Sequence, residues 1–90
     1  MIEFNYLKYK KTNFNIDKAK SVYKQLCKHA KDREWQDDIY GEIHHIKPRS
    51  LGGSDSKRNL VKLTFPEHCF VHYLLAIIYI LKAVCHLLFI

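Results

Sequence analysis

The sequence predicts an α+β fold: a basic amphipathic helix, then a strand–loop–strand unit, then a long apolar helix. Three observations carry this reading. Ile16, Ala19, Val22, Tyr23, Leu26, Cys27 and Ala30 recur at helical spacing, with Lys18, Lys20, Lys24, Lys28 and Lys31 between them. Two short apolar runs, 39–46 and 60–63, flank a loop with Pro48, Gly52-Gly53 and Ser54-Asp55-Ser56, as in a hairpin with a long connection. Thr64-Phe65-Pro66-Glu67 then has the form of a capping box ahead of an apolar stretch.

Taken in order, residues 2–9 are aromatic-rich and fit either a short strand or an irregular arm. Asn15 is placed to cap the first helix, because its side chain can accept from a free N–H of the first turn. Residues 39–46 carry β-branched side chains and a tyrosine, the composition of a strand. Thr64 can accept from the Glu67 amide while Glu67 reaches back to the Thr64 amide. Pro66 is tolerated in that first turn, where N–H groups lack partners anyway. The second helix is expected to begin near Phe65 and to run toward the C-terminus.

Ninety residues make one small domain, 1–90, divided into an arm and basic helix (1–38), the strand–loop–strand–helix unit (39–80) and a continuing apolar helix (81–90). With 48% hydrophobic and 27% charged residues but only three Gly and two Pro, the chain is neither disordered nor collagen-like. Three cysteines without a CxxC pair argue against a disulfide framework and for a reducing compartment. No secretory signal is expected, since residues 1–15 mix lysine with aromatics and lack an apolar core.

Charge is unevenly spread. Residues 1–33 hold nine Lys/Arg against three acids, 34–42 hold four acids and no base, and 43–62 hold five bases against one acid. Two basic segments around an acidic one suit a polyanion, nucleic acid first, although a solvated basic face would read the same way. The run 73–90 is apolar apart from Lys82 and His86 and touches the lower length limit for a bilayer span. Lys82 near its middle argues against membrane insertion. Packing within the chain, or a homodimer through this helix, is the expected burial. The uncapped apolar end also fits a piece of a longer protein.

Four of the six histidines fall in the strand–loop–strand–helix unit. His44 and His45 are adjacent on a strand, so their side chains point to opposite faces. His68 and His72, four apart, share one face of a helix. A helical pair plus one strand histidine makes a three-ligand site with open positions, and the other strand histidine is free to act as a base on water. Glu42, two residues before His44, lies on the same strand face and can accept the spare N–H of a metal-bound imidazole. Cys69 points away from His68 along the helix and is expected to pack rather than ligate. His29 and His86 have no partner at metal spacing.

These residues resemble a family. Glu42-Ile43-His44-His45-Ile46-Lys47-Pro48-Arg49-Ser50-Leu51-Gly52-Gly53, then Asn59-Leu60-Val61-Lys62-Leu63-Thr64, then Glu67-His68 and His72, look like the HNH endonuclease signature, above all that of small phage and mobile-element homing-type enzymes. The resemblance covers residues 39–79. It implies a ββα-metal (His-Me finger) fold and metal-dependent hydrolysis of DNA in the cytoplasm of a phage's or mobile element's host. His45 matches the general base, Asn59 the residue that braces the loop, and His72 the final ligand. His44 and His68 match the positions that complete the metal site.

Physical chemistry is compatible with those roles. A neutral imidazole accepts a proton near pH 7, and a divalent ion takes up charge on the phosphate and leaving oxygen. His45 needs its other ring nitrogen held, most simply by a backbone carbonyl across the loop. Lys47, Arg49, Lys57 and Arg58 flank the site as candidate DNA contacts, with Arg49 able to grip a phosphate bidentately. Mg²⁺ is expected first, with Zn²⁺, Mn²⁺ or Ni²⁺ as the other candidates. The alternative is a nucleic-acid-binding domain that keeps the metal finger without turnover.

Overall fold

The structure is a computed structural model that describes the backbone of residues 1–88 and the side chains of residues 1–79. Its architecture is α+β: α1 (Ile16–Asp32), β1 (Glu42–His45), β2 (Leu60–Leu63) and α2 (Phe65–Leu88), with β1 and β2 forming a two-stranded antiparallel sheet. Register pairs Glu42 with Leu63, His44 with Val61 and His45 with Leu60.

Asn15 caps α1, its Oδ1 accepting from the Lys18 amide at 2.7 Å. The helix turns Ala19, Val22, Tyr23, Leu26, Cys27 and Ala30 inward, where they meet Val61 and Leu63 of β2 and Val71, Leu74 and Ile78 of α2. Phe4 joins this core from the N-terminal arm. The arm contains a short 3₁₀ turn at Tyr6–Tyr9, not a strand. Tyr6, Tyr9, Phe14, Phe70 and Tyr73 form a contiguous aromatic cluster where the arm meets α2.

Two expectations need correction. The first strand begins at Glu42 rather than Ile39. The Ile39 amide donates to the Gln36 carbonyl at 3.0 Å, and the Ile39 carbonyl accepts from Trp35 Nε1 at 2.8 Å, so a turn takes both backbone groups. Cys69, expected to pack, is exposed, while Cys27 is buried. Position 69 falls on the side of α2 that neither α1 nor the sheet covers.

The capping box at the start of α2 forms, with Thr64 Oγ1 accepting from the Glu67 amide and Glu67 Oε1 from the Thr64 amide. Its glutamate does more than cap. Glu67 is fully buried, accepts from the Phe4 amide at 2.8 Å, and makes an ion pair with Arg33 at 2.5–2.6 Å. This locks the N-terminal arm, the end of α1 and the start of α2 together. Burial alone would raise the Glu67 pKa. The Arg33 hydrogen bonds, the two amides and the Arg33 charge outweigh it and hold the carboxyl below its usual range.

Along the described part of α2, Val71, Leu74 and Ile78 are buried, whereas Tyr73 and Tyr79 remain exposed. Of the apolar run that begins at Tyr73, Leu74 and Ile78 are therefore buried within the chain among the described residues. The expected continuation and dimer surface over 81–90 lie outside the residues whose side chains are described. Among the described residues, no helix is long and apolar enough to cross a membrane.

Candidate metal centre

The hairpin and α2 bring three imidazoles together. His44 comes from β1, and His68 and His72 from consecutive turns of α2. One ring nitrogen from each lies within 4.8 Å of the others. The Nε2 atoms of His68 and His72 are 3.1 Å apart. A shallow depression of about 210 Å³ contains these rings with Ile43, His45, Pro48, Arg49 and Leu75.

Each ring has a different setting. His44 is buried, at 5% exposure, and its Nε2 lies 2.8 Å from the Tyr23 hydroxyl of α1. Burial, then the neighbouring His68, His72 and His45, pushes its pKa down to about 4. It is therefore neutral at physiological pH, the form a ligand requires. His68 is half-buried, and its Nδ1 lies 2.8 Å from Glu42 Oε1. The His68 hydrogen bond, followed by one from the Tyr40 hydroxyl, holds the Glu42 carboxyl below its usual range. His72 is exposed at the rim. The donor chemistry, three imidazole nitrogens in an open depression, fits a divalent ion.

His45, next to His44 on β1, turns toward the 47–58 loop instead. Its Nε2 pairs with Asp55 Oδ1 at 2.8 Å, and Asp55 Oδ2 accepts from Arg49 at 2.9 Å. The ring partner expected to be a backbone carbonyl is thus a carboxylate. The His45 hydrogen bond first, and then Arg49, hold Asp55 below its usual pKa.

Asn59 ties the two ends of that loop. Its Oδ1 accepts from the Lys47 amide at 2.8 Å, while its Nδ2 donates to the Lys47 carbonyl at 3.0 Å and the Ser54 carbonyl at 2.7 Å. Between these ties the chain turns through Gly52, whose φ of +89° suits glycine. At Gly53 a Cβ would meet the Lys47 carbonyl oxygen at 1.8 Å. Lys47, Lys57 and Arg58 are exposed around the loop, and Arg49 lies beside the histidines.

The comparisons with known proteins bear on this arrangement. A 63-residue stretch covering 70% of the chain is 48% identical to probable mobile endonuclease E of Enterobacteria phage T4. A 38-residue stretch, 42% of the chain, is 60% identical to probable mobile endonuclease C of that phage, and 58 residues are 45% identical to probable mobile endonuclease D. The chain is a homologue of phage proteins named as probable mobile endonucleases. The matched stretches cover 44%, 18% and 22% of those relatives, so the chain spans less than half of their length. No family model matches the chain, and no solved structure matches it.

Two residues of the site and one of the anchor beneath α2 escape sequence reasoning. Asp55 read as one member of a polar turn, and only the fold of the loop carries it back to His45. Tyr23 read as one position in an apolar stripe. Arg33 read as one of nine cations. Each meets its partner across 10 to 34 residues of chain, a separation that periodicity does not register.

Proposed function

We propose that this chain carries the catalytic part of a metal-dependent HNH endonuclease that hydrolyses DNA phosphodiester bonds. The observation that carries the reading is the convergence of His44, His68 and His72 beside a separately held His45, in a homologue of probable mobile endonucleases. In this reading β1, β2 and α2 are the ββα-metal finger. The unit spans 39–80 of a single domain, 1–90, with residues 1–38 as its supporting arm and helix.

The geometry supports the following division of labour. Asp55 accepts the Nε2 proton of His45, which leaves Nδ1 as the basic nitrogen for deprotonating an attacking water. Asn59 keeps the loop closed, so that Asp55 stays within reach of the ring. Glu42 holds His68 by Nδ1, leaving Nε2 to ligate. An ion held by His44, His68 and His72 supplies positive charge for the phosphate and the leaving oxygen. Three nitrogens rank Zn²⁺ and Ni²⁺ above Mg²⁺ and Mn²⁺ in affinity, while Mg²⁺ remains first for turnover because it is abundant. Lys47, Arg49, Lys57 and Arg58 provide phosphate contacts, and the place of action is the cytoplasm of a phage-infected host.

The test is nicking of supercoiled plasmid with Mg²⁺ or Mn²⁺, beside an EDTA control and His45→Ala. Metal-dependent nicking that falls about 10²–10⁴-fold in the variant, with metal uptake unchanged, is expected. Nicking that survives in the variant removes His45 from the role of base. Metal binding without cleavage by the parent would favour the DNA-binding finger that lacks turnover.

A further inference from the structure

We propose that Tyr23 is a positioning residue for the metal centre: its hydroxyl fixes the tautomer of His44 so that Nδ1 is the nitrogen offered to the ion. The inference rests on reading His44, His68 and His72 as ligands, and it brings α1, outside the finger, into the site.

The argument is a proton count. The Tyr23 oxygen lies 2.6 Å from the Ile46 carbonyl oxygen and 2.8 Å from His44 Nε2. A carbonyl can only accept, and two oxygens 2.6 Å apart need a proton between them, so the tyrosine's single O–H is directed to Ile46. The hydroxyl therefore meets His44 with a lone pair, and Nε2 must be the nitrogen that carries hydrogen. A neutral imidazole has one N–H, so Nδ1 keeps its lone pair. Exchanging the tautomer would set two lone pairs against each other in a buried place, since Tyr23 is 8% and His44 5% exposed.

The carbonyl that orients the hydroxyl belongs to Ile46, which follows the two strand histidines directly. The Ile46 amide donates to the Asn59 carbonyl at 2.8 Å, so the same peptide segment is fixed by the loop brace. Tyr23, Ile46 and Asn59 thus form one continuous support running from α1 to the loop. His68 is set from its other side by Glu42, which accepts at Nδ1. The two ligands accordingly present opposite ring nitrogens, Nδ1 from His44 and Nε2 from His68, and each is held by a partner at the far nitrogen.

Tyr23→Phe keeps the ring and removes the acceptor. Two-bond proton–nitrogen correlation spectra of the imidazoles in metal-free protein near neutral pH read the tautomer directly. In the parent, His44 is expected as a single Nε2–H form. In Tyr23→Phe it is expected as an exchanging mixture, with Zn²⁺ affinity, by competition with a chromophoric chelator, about 10–100-fold weaker. A packing role alone would not move the tautomer signature. An Nδ1–H form or a mixture in the parent overturns the proposal, and this holds even where the variant fails to fold. Unchanged Zn²⁺ affinity in a folded variant overturns it too. A parent that takes up no Zn²⁺ sinks the ligand reading and this inference together. Absent nicking, with the tautomer and affinity changes observed, sinks only the nuclease.

Discussion

Replacing Arg33 by methionine tests how α2 is anchored. Glu67 is fully buried, the Arg33 side chain is 6% exposed, and two guanidinium nitrogens reach the two carboxylate oxygens. Methionine keeps an apolar stem but removes the guanidinium that stands over the Trp35 ring, and it leaves a buried carboxylate with only the Phe4 and Thr64 amides. Breaking a buried pair in this way costs about 3–5 kcal/mol. A chain of this size has a total stability of about 5–13 kcal/mol, so a quarter or more is at stake. Urea unfolding at neutral pH measures the loss.

The pH profile adds a sign. In the parent, the Glu67 carboxyl is held below its unfolded value, so its contribution is present above about pH 4.5 and lost as pH falls through the folded value. Without Arg33, burial dominates and the carboxyl rises above its unfolded value. The variant should then gain stability from Glu67 as pH falls toward 4.5, where the parent does not. Arg33→Met with Glu67→Met should recover part of the loss, since no buried charge is left behind although the Phe4 and Thr64 amides lose their acceptor. A single variant that loses less than about 1 kcal/mol and keeps the parent's acid profile would refute this account of the anchor.

Two further outcomes follow from the site. Metal-free protein should lose stability as pH falls from about 6.5, the ordinary histidine value, toward 4, because the unfolded chain takes up a proton that buried His44 refuses. The full effect is about 3 kcal/mol, read by urea unfolding in EDTA, and His44→Gln should flatten that part of the profile. A parent profile already flat between those values would contradict the burial of His44. Asp55→Asn should slow nicking about 10-fold, the scale of one exposed charge-assisted hydrogen bond, without changing Zn²⁺ affinity. An unchanged rate would leave His45 oriented by something other than Asp55.

Much of the site's chemistry is local, and local order was legible. The His68/His72 pair needs only helical periodicity, the Thr64/Glu67 box only a three-residue spacing, and the division of His44 from His45 only strand alternation. The start of β1 was misplaced at Ile39 because β propensity cannot register that Trp35 and Gln36 have already claimed that residue's backbone groups. Cys69 was misplaced because helical phase says which residues share a face, not how much of the helix its neighbours cover.

The sequence by itself determined the element order, both helix caps, and the residues from which a metal site could be assembled. These depend on neighbours within a few positions, where backbone geometry sets the distances. Only the tertiary structure decided which partner each histidine has: Tyr23 for His44, Asp55 for His45 and Glu42 for His68. It likewise turned Glu67 from a helix cap into the buried partner of Arg33. Those pairings join groups 10 to 34 residues apart, and they exist because the fold of the loop and the packing of α1, the sheet and α2 bring distant groups into reach.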